Sequence, residues 1–301
     1  MTALQEKLKA YVESCGSQSA AGKKIGYSSS VISTYLKGEY KGDVNKLEAK
    51  LTEIFANLEA EKNMSSVSAA DRYVATSISQ AVYDTIRLCH LKGGLAIECG
   101  DAGIGKTMAC RKYVSDYPNT AIYITVNPCI ATTAAFLKYM CMVMGLPIGR
   151  KDDMWLRIAH RLSGERKVLI IDEAQHLPIK TIETIRAFFD TYPEIGVCLV
   201  GNEDTYNNLH RGKTAFAQII NRTKLTEKRY TTQITYNDIE LLFPALEGKK
   251  KEIKFLLKVA QTQQGIRGAQ NLYSNAIDNQ DISYAGLAAM ANAMKMDLWA
   301  A

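Results

Sequence analysis

Gly100-Asp101-Ala102-Gly103-Ile104-Gly105-Lys106-Thr107 fits G-x-x-x-x-G-K-[ST] at every fixed position. An apolar stretch, Leu95-Ala96-Ile97, runs into it, and a helical pattern starting at Lys106 leaves it. In that strand–loop–helix setting the spacing has a physical meaning. Glycines let the backbone fold around a phosphate where a Cβ would collide. The N–H groups of the loop and of the first helical turn, Met108 included, then face the anion. Lys106 is expected to reach the β- and γ-phosphates of ATP, and Thr107 to ligate Mg²⁺. The alternative is a glycine-rich turn that opens an ordinary helix.

A second pattern supports the first. Lys167-Val168-Leu169-Ile170-Ile171-Asp172-Glu173 is an apolar run closed by two acids. Such a run reads as a buried parallel strand, and ligands of open α/β sheets gather at strand C-termini. Asp172 is expected to hold Mg²⁺ through water, and Glu173 to orient and deprotonate the attacking water. A third apolar run, Gly196-Val197-Cys198-Leu199-Val200-Gly201, ends in Asn202. Asn202 either hydrogen-bonds the γ-phosphate or the attacking water, or simply forms the turn that ends the strand.

These groups need a sheet and helices to hold them. Strand and helix patterns alternate after the loop: helix 106–115, strand 121–126, helices 133–144 and 154–162, then the acidic strand, helix 179–189 and strand 196–202. The expected fold class is α/β, a parallel sheet flanked by helices. From residue 236 onward the pattern is helical, at 237–242, 249–262, 267–278 and 284–294, which suits an α-helical lid. Residues 1–60 read as a separate all-α unit. Helices at 18–24 and 29–36 flank Gly26-Tyr27-Ser28, the spacing of a helix-turn-helix. The second helix presents Ser28, Ser29, Ser30, Ser33, Thr34 and Lys37 as candidate contacts to a DNA groove, with Ile25, Val31, Ile32 and Leu36 turned inward. The alternative is a small helical protein-interaction module. Through Lys62 this stretch has no arginine, and its nine lysines meet eight carboxylates. That balance favours auxiliary or loosely specific DNA binding, since phosphate contacts dominate affinity. A third helix is expected at 44–58 and a polar linker at 61–72, with the nucleotide-binding core at 73–232 and the lid at 233–301.

Composition sets the outer bounds. The chain has 37 Lys and Arg against 31 Asp and Glu, a net charge of +6, which permits an anionic partner without demanding one. No apolar run approaches the length of a membrane span, and the first residues are charged, so a cytosolic protein is expected. The seven cysteines form no C-x-x-C pair and mostly sit in apolar runs, and the four histidines are scattered. Reduced core thiols are expected rather than disulfides or a zinc site.

Taken in order, GDAGIGKT, VLIIDEAQHL and CLVGN resemble the phosphate loop, acidic strand and polar sensor of AAA+ P-loop ATPases. The wording of these segments, with DRYVATSISQAVYDTIRLCHLKGGLAIECG before them and FAQIINRTKLT after, resembles the phage Mu B-type transposition ATPases to about residue 275. Target-selection ATPases of the Tn7 and IS21 types are more distant matches. The resemblance implies ATP-dependent oligomerisation, as a helical filament or ring, on double-stranded DNA of little sequence preference. It further implies recruitment and activation of a DDE transposase, no membrane partner, and a bacterial, phage or mobile-element origin. It places Arg222 as the arginine that reaches a neighbouring subunit's γ-phosphate, with Arg211 as the alternate. Gln264-Gly265-Ile266-Arg267-Gly268 is similar to the family's lid signal and offers Arg267 to the nucleotide, although Arg267 follows Gly265 by two residues instead of three. Arg150, Lys151 and Lys180 are candidate DNA-phosphate contacts within the ATPase core, or ordinary solvated charge. Two other readings remain open at this point: a DnaC-type AAA+ helicase loader, and an ATP-gated helix-turn-helix transcriptional regulator.

Overall fold

The computed structural model describes residues 3–66, 73–130, 132–211 and 222–296. The chain divides into two units, 1–71 and 72–301.

The first unit contains α1 (Ala3–Ser14), α2 (Gln18–Ile25), α3 (Ser29–Lys37) and α4 (Val44–Ser66). The Ser17 hydroxyl accepts from Ala20 N–H and opens α2, and Ser28 accepts from Val31 N–H and opens α3. Gly26, at φ +80°, ends α2 in the left-handed region that a side chain disfavours. Leu8, Ala21, Ile25, Ile32, Tyr35, Leu47, Leu51 and Phe55 form the core. Val31 and Leu36, expected inside, are only half-buried, and Tyr35 takes the deep position with its hydroxyl donating to Glu48 Oε1 at 2.8 Å. The expected linker starts too early. α4 continues to Ser66, because Glu-Ala-Glu-Lys-Asn-Met contains no Gly or Pro and a helix already nucleated by packing propagates through good formers. Residues 67–72 of that linker lie outside the described residues.

The second unit is a five-stranded sheet ordered β2-β3-β4-β1-β5. Its strands are β1 (Gly94–Gly100), β2 (Ala121–Thr125), β3 (Val168–Asp172), β4 (Gly196–Gly201) and β5 (Thr223–Arg229). Every neighbouring pair is parallel. The helices of the α/β part are α5 (Ser77–Lys92), α6 (Lys106–Asp116), α7 (Thr133–Val143), α8 (Lys151–Leu162), α9 (Ile179–Thr191) and α10 (Glu203–Arg211). The lid comprises α11 (Tyr236–Leu242), α12 (Lys250–Ala260), α13 (Gly265–Asp278) and α14 (Tyr284–Ala293).

Side-chain alternation along the strands divides the core between two faces. Ala96, Val168, Ile170, Cys198 and Val200 pack with α5, α6 and the lid helices. Leu95, Ile97, Leu169, Ile171, Val197 and Leu199 pack with α7, α8 and α9. The parallel sheet thus lies between helical layers, the α/β class that the sequence pattern predicts. β5 had no counterpart in the expected pattern. Thr-Lys-Leu-Thr-Glu-Lys-Arg has a single aliphatic residue, and among the described residues it forms an edge strand that pairs with β1 alone. α8 also starts three residues earlier than its apolar pattern suggested. Asp152 and Asp153 lie in its first turn, where the helix dipole favours acids.

Cys89, Cys99, Cys110, Cys141 and Cys198 are buried free thiols, and burial pushes the Cys89 thiol up to about 12. Among the described residues no helix is long and apolar enough to cross a membrane.

Candidate nucleotide-binding site

The loop from Gly100 to Gly105 joins the C-terminal end of β1 to α6. Gly105 sits at φ +99° immediately before α6, in the left-handed region that glycine enters without a Cβ penalty. Ile104 is fully buried and anchors the loop in the core, while Ala102 is exposed and Met108 half-buried on the first turn of α6. Lys106 Nζ donates to the carbonyls of Gly100 (2.9 Å) and Asp101 (2.5 Å), both within the loop. Burial pulls the Lys106 pKa down, and the nearby carboxylates of Asp172, Glu173 and Asp101 oppose that shift.

Asp101 has a structural task. Its backbone N–H donates to Arg229 O at 3.0 Å, and its Oδ2 accepts from Thr231 N–H at 2.7 Å and from Thr231 Oγ1 at 3.1 Å. The loop is thereby tied to the end of β5. Beneath it, Glu98 is 0% exposed and accepts from Arg229 Nε at 2.8 Å. Burial raises the Glu98 pKa, and Arg229 counters the rise. Neither Arg229 nor Thr231 stood out in the sequence, since both belong to the unrecognised edge strand and the turn after it.

β3 carries its two acids to the same edge of the sheet. Thr107 Oγ1 donates to Asp172 Oδ2 at 2.8 Å, and Tyr123 Oη, from the middle of β2, donates to the same oxygen at 2.8 Å. Thr107 and Asp172 thus offer a hydroxyl and a carboxylate, the hard oxygen donors that Mg²⁺ takes. Tyr123 was missed because a tyrosine inside a strand carries no positional signal. Glu173 lies at φ 58°, in the left-handed region that non-glycine residues seldom occupy. Its N–H donates to Asp172 Oδ1 at 2.9 Å.

β4 lies between β1 and β3, so Asn202 emerges between the phosphate loop and the acidic pair. Asn202 Oδ1 accepts from Asp204 N–H at 2.9 Å, an Asx turn that opens α10. The half-exposed side chain therefore serves the turn in this structure, at the C-terminal end of β4.

The structure does not bring all the expected arginines to this edge. Arg222 precedes β5 at the opposite end of the strands, and β5 pairs with β1 from Leu95–Thr223 to Gly100–Arg229. The phosphate loop of the same chain is therefore about 20 Å away along the strand. Arg222 is 48% exposed and forms an ion pair through Nε with Asp190 of α9 at 2.5 Å. Arg211 is the last residue of α10, and residues 212–214 of its HRGKT segment lie outside the described residues. Arg267 does come to the loop, by its backbone: its N–H donates to Gly103 O at 3.3 Å. This close approach uses two glycines. A Cβ on Gly265 would stand 2.7 Å from Ala102 O, and one on Gly103 would stand 3.1 Å from Gln264 O. The Arg267 side chain is exposed.

The expected DNA contacts fall on both units. In α3, Ser28, Ser29, Ser30 and Lys37 are exposed, whereas Ser33 and Thr34 are half-buried. The Thr34 hydroxyl donates back to Ser30 O at 2.8 Å, so it serves its own helix. In the second unit, exposed Arg150, Lys151 and Lys180 stand at the N-termini of α8 and α9. Trp155 Nε1, one turn into α8, donates to Thr184 O, one turn into α9, at 3.3 Å. That contact joins the first turns of the two helices.

Residues 90–209 match the family described as AAA domain. The chain is 26% identical over 277 residues to the Mu-like prophage FluMu DNA transposition protein B of Haemophilus influenzae, covering 90% of this chain and 95% of that protein. It is also 26% identical over 247 residues to the ATP-dependent target DNA activator B of Escherichia phage Mu, covering 80% and 77% respectively. Among solved structures, the Aeropyrum pernix ORC1 protein in complex with DNA shares the fold, with a TM-score of 0.52 and 13% identity. That match covers 74% of this chain and 66% of the solved one.

Proposed function

We propose that this relative of the Mu-type transposition proteins B is an ATP-dependent activator of target DNA, an ATPase that assembles on double-stranded DNA and presents it to a DDE transposase. One observation carries the ATPase part: Lys106, the Thr107–Asp172 hydrogen bond and Glu173 meet at one edge of the sheet, with Asn202 emerging between them. ATP is held by the N–H groups of Gly100 to Met108, and Lys106 exchanges its loop carbonyls for the β- and γ-phosphates. Thr107 and Asp172 would hold Mg²⁺, which would supply charge neutralisation on those phosphates. Glu173 accepts the proton of the water that attacks the γ-phosphorus, and ADP leaves. Asn202 orients that water or the γ-phosphate. The contact between α13 and Gly103 connects loop occupancy to the lid, and Arg267 there is available to the nucleotide.

Arg222 cannot serve its own chain's loop, which fits a role in trans at the γ-phosphate of a neighbouring copy, within a ring or filament. DNA runs along the surface that carries Arg150, Lys151 and Lys180. Cations at helix N-termini oppose the helix dipole, so helix stability does not account for them. The N-terminal unit adds loosely specific backbone contacts through α3. ATP binding promotes assembly in the cytosol, and hydrolysis releases the DNA.

The test is ATP hydrolysis with and without random-sequence duplex DNA, for the wild type and for Glu173→Gln. The reading expects DNA-stimulated turnover in the wild type, and a Glu173→Gln protein that binds ATP and stays on DNA without turnover. Wild-type protein indifferent to DNA would redirect the reading to an ATPase driven by a protein partner, with the helicase loader first.

A further inference from the structure

Gln175 lies in the one-turn 3-10 segment Ala174–His176 that follows β3 and Glu173. Both ends of its side-chain amide are used. Nε2 donates to Glu173 Oε2 at 2.5 Å, and Oε1 accepts from Asn202 N–H at 3.3 Å and from Thr205 Oγ1 at 3.5 Å. The orientation of the amide follows from chemistry: an ionised carboxylate only accepts and a backbone N–H only donates, so nitrogen must face Glu173 and oxygen Asn202. The Gln175 carbonyl is also engaged, accepting from Asn208 Nδ2 of α10 at 3.1 Å. Room for the amide depends on Gly201, where a Cβ would collide with Gln175 Oε1 and Thr205 Oγ1. Gln175 therefore spans the C-terminal ends of β3 and β4 and touches the base on one side and the sensor on the other.

We propose that Gln175 is a positioning residue for hydrolysis, one that fixes the Glu173 carboxylate and locks it in register with the end of β4. The proposal rests on the reading of Glu173 as the base. Glu173 has an uncommon backbone conformation at φ 58°, with its N–H on Asp172 and its carboxylate on Gln175. The backbone bond sets the start of the side chain, and Gln175 sets its end. A base must be held within hydrogen-bond reach of one water, and small misplacements of catalytic groups are costly in rate. Among the described residues the hydrogen bonds of Gln175 go to Glu173, Asn202, Thr205 and Asn208 and not to the loop 100–107, so its contribution falls on turnover and not on nucleotide affinity.

Two variants test this by steady-state ATPase kinetics on the full chain, with fluorescent-nucleotide binding and thermal melting alongside. Gln175→Leu keeps the volume and removes both hydrogen-bonding ends. Gln175→Glu keeps an acceptor for Asn202 and Thr205, removes the donor, and sets a second carboxylate against Glu173. Both are expected to lower kcat by about tenfold or more, with KM for ATP and nucleotide affinity within about threefold of wild type. Gln175→Glu is expected to be at least as impaired as Gln175→Leu. Should Gln175→Leu fail to fold, Gln175→Glu alone decides. Wild-type kcat in Gln175→Glu overturns the proposal, because the residue would then serve only the strand end and α10. A rise in KM at constant kcat overturns it as well. So does a rise in kcat, which would make Gln175 a brake. If the wild type and Glu173→Gln hydrolyse ATP equally, the reading of Glu173 has failed, an outcome distinct from any of these.

Discussion

Thr107 and Asp172, 65 residues apart, meet in a 2.8 Å hydrogen bond between Thr107 Oγ1 and Asp172 Oδ2, and Tyr123 Oη donates to the same carboxylate oxygen. Two hydroxyls from different elements therefore orient one carboxylate. Tyr123→Phe removes one of them and leaves the ring packed. A lost hydrogen bond to a charged group costs about 1.5–3 kcal/mol. The Mg²⁺ concentration that half-saturates ATP hydrolysis is expected to rise severalfold while the melting temperature barely moves. A Mg²⁺ titration of both proteins checks this, and coincident curves would remove Tyr123 from the site.

Lys106 is a charge partly withdrawn from water, and burial pulls its pKa down. Lys106→Met should therefore abolish ATP binding without lowering the melting temperature of the nucleotide-free protein. The wild type should gain stability when ATP is added, by mass action, and the variant should gain none. Melting curves with and without Mg-ATP read both effects. A variant that melts well below the wild type without nucleotide would show that Lys106 is needed to hold the loop.

Asp238 joins the lid to the first helix of the core. It is buried and accepts from Ser77 N–H at 2.6 Å, Ser77 Oγ at 2.7 Å, Thr235 N–H at 2.8 Å and Thr235 Oγ1 at 2.9 Å. Burial alone would raise its pKa, but these donors outweigh that and hold it below the usual carboxylate value. A depressed folded-state pKa stabilises above the unfolded value of about 3.9, and that contribution is lost as pH falls through the folded one. Asp238→Ala leaves the donors unpartnered and is expected to cost about 3 kcal/mol at pH 7. The deficit relative to wild type should shrink below about pH 4. Urea unfolding at several pH values measures it, and a deficit independent of pH would assign the effect to packing.

Arg222 is paired with Asp190 and lies far from the phosphate loop of its own chain. Arg222→Ala should reduce DNA-stimulated turnover by about 10³, the usual contribution of an arginine that acts in trans. Subunit mixing separates trans from cis. Each of Arg222→Ala and Glu173→Gln is expected to be inactive alone. Mixed on DNA, they should recover activity where an intact arginine faces an intact base. No recovery at any ratio would exclude Arg222 from that role.

The phosphate loop, the acidic strand and the sensor strand were legible in the sequence because each is a short, local pattern. Buried parallel strands are continuous apolar runs, and only glycines at fixed spacing permit the loop. β5 was illegible for the opposite reason. An edge strand with one pairing partner needs no apolar run, and Thr-Lys-Leu-Thr-Glu-Lys-Arg reads as a polar connection. The extension of α4 to Ser66 was hidden by a polar composition that propensity alone carries forward as helix.

From the sequence alone came the identities of Lys106, Thr107, Asp172 and Glu173, and the expectation of a parallel sheet. Chemistry restricts which residues can cradle phosphate, and apolar periodicity restricts how they are mounted. Only the tertiary structure decided which strands are neighbours. It set β4 between β1 and β3, brought Tyr123 and Thr107 to one oxygen of Asp172, stretched Gln175 from Glu173 to Asn202, and carried Arg222 to the far end of the sheet. Strand order and side-chain meetings between distant segments arise from how the two sheet faces bury their helices, and no local pattern encodes that packing.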